Sequence, residues 1–233
     1  MKLAELTWKE IAERLESERR LIVPVGTCEQ HGPHLPLSSD TLVAESIAEY
    51  LSQRTGILVA PTVQYGVNLP CDRGFAGTCS TTPELLRGTI GSILEWWKVQ
   101  GFARFFLLSA HGDPLHIEAL RAADPDAARV LSLYDFPMQD ILERQEGGRH
   151  ACEAETSVML HLRPELVRTE EIADFAIPFD EFKPYFLHEK IEPIAGAPGH
   201  QGFPSFASAE KGERIFALMK RHALSWLERG GEA

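Results

Sequence analysis

Positive charge, cysteine and long apolar runs are all scarce in this chain, and each scarcity closes off a class of protein. Its 23 lysines and arginines are outnumbered by 34 aspartates and glutamates, giving a formal net charge of −11 over 233 residues. A surface with that balance repels phosphate backbones and anionic headgroups, so neither a nucleic-acid partner nor a membrane-surface role is expected. The four cysteines, Cys28, Cys71, Cys79 and Cys152, are widely spaced and form no Cys-x-x-Cys pair. That spacing argues against a zinc ribbon and a disulfide framework, and leaves reduced thiols as the expectation. No apolar stretch approaches the roughly 20 residues a membrane helix needs. The opening Met1-Lys2-Leu3-Ala4-Glu5-Leu6 lacks the uninterrupted apolar core of a secretory leader. A soluble, cytoplasmic protein is therefore expected. Repeats, low-complexity tracts and linkers are missing too, and 44% hydrophobic with 24% charged residues are ordinary globular values. A single domain over residues 1–233 follows, since one α/β domain commonly reaches this size.

Apolar patterning then sets the order of elements. Thr7-Trp8-Lys9-Glu10 has capping-box spacing and predicts a first helix. Leu21 to Gly26 reads as a buried strand feeding a loop, Asp40 to Arg54 as a helix stopped by Gly56, and Ile57 to Pro61 as a second strand. A glycine-punctuated loop from Tyr65 to Ser80 is followed by a helix opened by Thr82-Pro83-Glu84 and closed at Gly101. Phe105 to Leu108 and Val130 to Tyr134 predict two further strands. Such alternation of helices with continuously apolar strands predicts a three-layer α/β/α fold with a mainly parallel central sheet, covered on both faces. From Glu170 to Pro204 a proline-spaced stretch carries Phe175, Phe179, Phe182, Tyr185 and Phe186, which reads as a lid, an oligomer contact or plain surface packing. A closing helix spans Ala209 to Glu228.

Three short clusters hold the chemistry. The first is Cys28-Glu29-Gln30-His31-Gly32-Pro33-His34 with Asp40. If the chain stays extended past Gly26, Glu29 and His31 project from the same side. Asp40 then begins a helix at the carboxyl edge of the sheet, where open α/β folds place their sites. Two carboxylates and an imidazole suit zinc, manganese or iron. Taken singly, Asp40 also reads as a helix cap and His31 as a loop histidine. The second cluster is His111-Gly112-Asp113-Pro114 at the end of the Phe105 strand, where His111 is a candidate ligand and Asp113 either a ligand or the cap of the next helix. The third runs from His150 through Glu153 and Glu155 to Ser157. A helix beginning near His150 would put His150 and Glu153 on one face and turn Glu155 elsewhere; a solvated acidic first turn is the alternative.

Together these clusters resemble the creatininase (creatinine amidohydrolase) family. The matching residues are Gly26-Thr27-Cys28-Glu29-Gln30-His31-Gly32-Pro33-His34-Leu35-Pro36 with Asp40, Gly77-Thr78, His111-Gly112, and His150-Ala151-Cys152-Glu153-Ala154-Glu155-Thr156-Ser157. The resemblance implies a hydrolase with two divalent metal ions, zinc first and manganese or iron as options. Asp40 would bridge them, Glu29 and His111 would complete one, and His31 with a further carboxylate the other. Glu153 is favoured as that fifth ligand over Asp113, whose side chain is shorter and has a helix to cap. His150 would move protons, and Glu155 would orient an imidazole. The implied substrate is a small-molecule amide, linear or cyclic, and not a peptide bond. Lactone or carbon–carbon cleavage beside a ketone is the alternative, and a non-catalytic metal-binding protein the third. Gly112 and Tyr134 stand where creatinine-cleaving members carry ring-gripping aromatics, and Ser109-Ala110 and Phe75-Ala76-Gly77-Thr78 depart from the family's usual strings, so creatinine itself is not expected. The resemblance further implies a homo-oligomer, often a hexamer.

Overall fold

A computed structural model describes residues 1–144 and 149–232. Four parallel strands lie in the order β2-β1-β3-β4: β1 is Arg20–Val25, β2 Leu58–Val59, β3 Arg104–Ser109 and β4 Ala128–Ser132. Among the described residues the sheet is all parallel. The helices are α1 (Trp8–Leu15), α2 (Ser39–Thr55), α3 (Pro83–Gln100), α4 (Pro114–Arg121), α5 (Glu153–Leu162), α6 (Phe179–Phe186) and α7 (Ala209–Glu228).

Strand side chains alternate between two cores, as the period of two demands. Leu21, Val23, Val25, Phe105 and Leu107 pack with Leu86, Ile90 and Leu94 of α3 and Leu120 of α4. Ile22, Phe106 and Leu108 face the other way, onto Ile47 and Leu51 of α2, Val158 and Met159 of α5 and Phe216 and Trp226 of α7. Both faces are thus covered, and the chain is a three-layer α/β/α protein.

Local signals explain the helix ends. At α1 the Thr7 amide donates to Glu10 Oε2 at 2.7 Å and the Glu10 amide to Thr7 Oγ1 at 3.4 Å, which closes the capping box. Thr82 caps α3, and Gly101 ends it in the left-handed region at φ 119°. Two strands differ from the sequence expectation. β4 begins at Ala128 and stops at Ser132, so Leu133 and Tyr134 lie beyond the sheet edge. β2 keeps only Leu58 and Val59, because Pro61 has no N–H with which to extend an edge ladder. The proline-spaced stretch folds its central part into α6 despite Pro184.

Two glycines set the close approaches that matter for the site. A Cβ on Gly26, just past β1, would sit 2.6 Å from the Thr41 backbone, so only glycine lets the strand end press against the first turn of α2. A Cβ on Gly212 would sit 1.9 Å from the Ser157 carbonyl oxygen, which fixes how tightly α7 lies on α5.

Candidate metal centre

Glu29 and His31 follow β1, Asp40 is the second residue of α2, and His111 lies two residues past β3. Because β1 and β3 are neighbours, with Val25 beside Ser109 in register, their exits deliver these side chains to one point. All four are buried, at 5% exposure or less. Nδ1 of His111 lies 2.9 Å from Glu29 Oε2 and 3.3 Å from Asp40 Oδ2, while Nε2 of His31 lies 3.5 Å from Asp40 Oδ1. Two sets of donor atoms each gather within 4.8 Å: Glu29, Asp40 and His111, and Glu29, His31 and His150.

The ring nitrogens turned away from this point fix the tautomers. Nε2 of His111 is 2.8 Å from the Val67 carbonyl, Nδ1 of His31 3.1 Å from the Glu29 carbonyl, and Nε2 of His150 2.8 Å from the Gln30 carbonyl. A carbonyl only accepts, so each of these nitrogens carries the proton and donates it. The opposite nitrogens of His111 and His31 face carboxylate oxygens, at positions that hold either a second ring proton or a metal ion. Lone pair against lone pair is repulsive unless a positive charge lies between.

The electrostatics report that demand. Burial opposes a charge on His31, yet Asp40, then Glu29 and Glu155, push its pKa up to about 10. His111 is likewise held well above its ordinary value, with Glu29 and Asp40 outweighing burial. Burial works against the ionised forms of Glu29 and Asp40, but the surrounding imidazoles keep both below the usual carboxylate range. Glu29 Oε2 is also a buried acceptor without an aligned hydrogen bond, despite the 2.9 Å approach of His111. An oxygen left in that condition costs free energy unless a cation occupies the gap. Carboxylate oxygens and imidazole nitrogens suit zinc or manganese, so the donor set fits divalent metal.

The third cluster departs from its expected placement. α5 begins at Glu153, not near His150, and Ala151 turns the chain before it at a left-handed φ of 47°. His150 is therefore off the helix, and Glu153 does not share a face with it. The fully buried Glu153 carboxylate accepts from Lys211 Nζ at 2.7 Å, from the Glu143 amide at 3.0 and 3.2 Å, and from the Arg144 amide at 3.2 Å. It ties α5 to α7 and stands outside the donor cluster, which corrects its expected role as fifth ligand. The rival, Asp113, is the cap of α4: Oδ1 accepts from the Leu115 and His116 amides at 2.8 and 3.0 Å, and Oδ2 pairs with His188 Nε2 at 2.6 Å. Glu155 instead lines the cleft with Glu29, His31 and Asp40. Its carboxylate accepts from the Ala151 amide at 2.5 Å, not from an imidazole, and burial lifts its pKa to about 8.

Several neighbours carry parts of the site to which the sequence assigned no role of their own. Thr27 Oγ1 donates to Asp40 Oδ2 at 2.5 Å. Gln30 spreads its amide nitrogen over Asp72 Oδ1 at 2.9 Å and the Gly199 carbonyl at 2.5 Å, beside the His150 ring. Burial pushes the His150 pKa down to about 4, which keeps the ring neutral. Phe179, Phe182 and Phe186 of α6 line the cleft, so the aromatic stretch walls the site; their i, i+3, i+7 spacing was the available clue. The cleft has a volume of about 860 Å³ and also receives Tyr134, Arg144 and Arg149.

A parallel α/β sheet with buried carboxylates and imidazoles gathered at the exits of its two inner strands has the donor set and placement of a metal-dependent enzyme. A family profile described as creatinine amidohydrolase matches residues 4–227. A creatinine amidohydrolase of Pseudomonas putida is 32% identical over 240 residues, covering 93% of this chain and 92% of that protein. A mycofactocin precursor peptide peptidase of Mycolicibacterium smegmatis is 33% identical over 213 residues, covering 85% and 80%. Two solved creatininase structures, one a manganese form and one a variant of Zn–Zn type, each superpose with a TM-score of 0.80 at 28% identity, covering 97% of both chains. The chain belongs to the creatininase family.

Proposed function

We propose that the chain hydrolyses a small non-peptide amide, linear or cyclic, at a centre of two divalent cations that share Asp40. Glu29 and His111 hold one, and His31 holds the other together with Glu155, which takes the place expected for Glu153. The assignment rests on the second ring nitrogens of His111 and His31 facing buried, ionised carboxylates, where a divalent cation takes the place of a proton. When bound, the cations supply Lewis acidity and lower the pKa of a water toward neutrality.

The rest is done by the chain. His150, kept neutral by burial and anchored through Nε2–H to the Gln30 carbonyl, presents a bare Nδ1 4.0 Å from Glu29 Oε1. That nitrogen takes the proton of the attacking water. An amine is a poor leaving group until protonated, and an imidazolium in a buried site gives its proton up readily, so His150 delivers it to the departing nitrogen. Ala151 aims the ring by its left-handed turn, and the Gln201 amide fixes the His150 carbonyl at 2.8 Å. Gly112 and Tyr134 leave no stacked pair of rings for a small planar substrate, which argues against creatinine. A homo-oligomer, hexameric as the family resemblance implies, and a cytoplasmic setting complete the proposal; the four cysteines are all free thiols. The deciding experiment loads purified protein with zinc or manganese, counts metal by elemental analysis, and assays formamides, lactams and lactones. Two metals per chain with turnover confined to amides is the expected result; one metal or none, or turnover of lactones alone, overturns it.

A further inference from the structure

The donor cluster fills only the floor of the cleft, and its mouth has a chemistry of its own. Arg144 and Arg149 both line it, in a protein of net charge −11. Among the described residues neither guanidinium has a carboxylate partner. Each rests instead on an aromatic face: Arg149 lies 5.9 Å from the Phe179 ring centroid, and Arg144 lies 5.1 Å from that of Phe206 and 5.9 Å from that of Phe203. A guanidinium stacked on a ring is held by its face and directs its N–H edges sideways, the geometry that grips a carboxylate bidentately. The same cleft has an apolar wall that includes Leu69, Ile177, Pro178, Phe182 and Phe186. The exposed Asp135 and the half-buried Tyr134 add polar edges. A volume of about 860 Å³ lies in the range of clefts that take ligands much larger than a single small ring.

We infer that Arg144 and Arg149 form a carboxylate-binding subsite, and that the substrate is an amide joined through an apolar, ring-bearing body to a carboxylate. The inference deepens the proposed function and rests on it for the identity of the scissile bond, but the subsite itself is testable without turnover. In this arrangement the negative floor, neutralised when metal is bound, accepts the amide oxygen. The aromatic wall covers the body, and the two arginines fix which end points outward. A neutral amide of the same shape loses the last of these contacts and keeps the others.

The test uses calorimetry with two probes of matched shape, N-acetyl-L-phenylalanine and its neutral C-terminal amide, on metal-loaded full-length protein. The anion is expected to bind roughly ten- to a hundredfold more tightly, the contribution of a charge-assisted hydrogen bond. That preference should vanish in the Arg144→Gln/Arg149→Gln double variant, be partly kept in Arg149→Lys, and shrink between about 0.05 and about 0.5 M salt. It should survive Asp40→Ala, which removes metal but not the rim. Equal affinities for the two probes overturn the inference. So does a preference that persists in the double variant, or one lost in Asp40→Ala and kept in the double variant, since the anion would then be sitting on the metals. If the double variant fails to fold, the single Arg149→Gln variant beside Asp40→Ala decides: a preference kept in the first and lost in the second overturns the inference. A carboxylate preference without amide turnover would sink the proposed function and leave the subsite standing.

Discussion

His111 donates through Nε2 to the Val67 carbonyl at 2.8 Å and thereby turns its other nitrogen, Nδ1, toward Glu29, 2.9 Å away. The Val67 carbonyl belongs to the long loop after β2, so a residue with no chemistry of its own selects which nitrogen faces the site. The same device recurs at His31 and His150, each oriented by a backbone carbonyl of the loop that follows β1.

Asp40 touches both sides of the cluster, with Oδ1 toward His31 and Oδ2 toward His111. Asp40→Ala is therefore expected to empty both positions, taking bound metal from two ions per chain to less than one and lowering amide turnover by more than about a hundredfold. Elemental analysis beside a steady-state assay checks both. Full metal retention would show that the aspartate is not shared.

Glu153 and Glu155 are two residues apart and are expected to fail differently. Glu155→Gln should lose one of the two metals and most activity with little change in melting temperature. Glu153→Gln should keep both metals but cost about 1–3 kcal/mol, because Lys211 would lose its buried partner. At this chain length that lowers the melting temperature by roughly 2–4 °C per kcal/mol. Scanning calorimetry and metal counts on the pair distinguish the roles, and an exchange of the two outcomes would restore Glu153 as the ligand.

His34 supplies a pH signature. Buried beside Thr156 Oγ1 at 2.9 Å, it has its pKa lowered from 6.5 to about 4, first by burial and then by His200, His31 and His150. A folded-state pKa below the unfolded one means that the unfolded chain binds more protons between the two values, so stability is lost as pH falls from 6.5 toward 4. Urea midpoints over this window should fall in the unaltered protein and fall less steeply in His34→Gln. Parallel slopes would show that another group carries the acid sensitivity.

Gly212→Ala should be destabilising although it raises helix propensity. The added carbon would meet the Ser157 carbonyl oxygen at 1.9 Å, so α7 must move off α5 at a cost of about 1–3 kcal/mol. Because Lys211 is the next residue, its ion pair with Glu153 should loosen as well, and chemical denaturation of the single and double variants would show coupling between the two changes.

Much of this arrangement was legible in the sequence, for identifiable physical reasons. Glu29 and His31 follow a strand whose apolar run and terminal glycine are unmistakable, and His111 follows another, so strand ends could be located and their side chains projected to one edge. The third cluster was misplaced by the start of a helix. Acidic residues are at home throughout a first turn, and nothing in His150-Ala151-Cys152-Glu153 says that Ala151 adopts a left-handed turn. That turn moves the start of α5 to Glu153 and hands the site-facing position to Glu155. Lys211, the partner of Glu153, lies 58 residues further on, a pairing local patterns do not encode. β4 lies earlier than the apolar run suggests for a related reason: Leu133 and Tyr134 extend the run, but their burial comes from a core and a cleft beyond the ladder.

The donor atoms that gather at the cleft floor come from four separate stretches, the exit of β1, the start of α2, the exit of β3 and the turn before α5 that carries His150. No contiguous fragment of the chain carries the full set. During refolding, tight zinc capture must therefore trail assembly of the inner strands, and a chelating dye in competition with the protein would time the completion of the native topology, not the appearance of its helices.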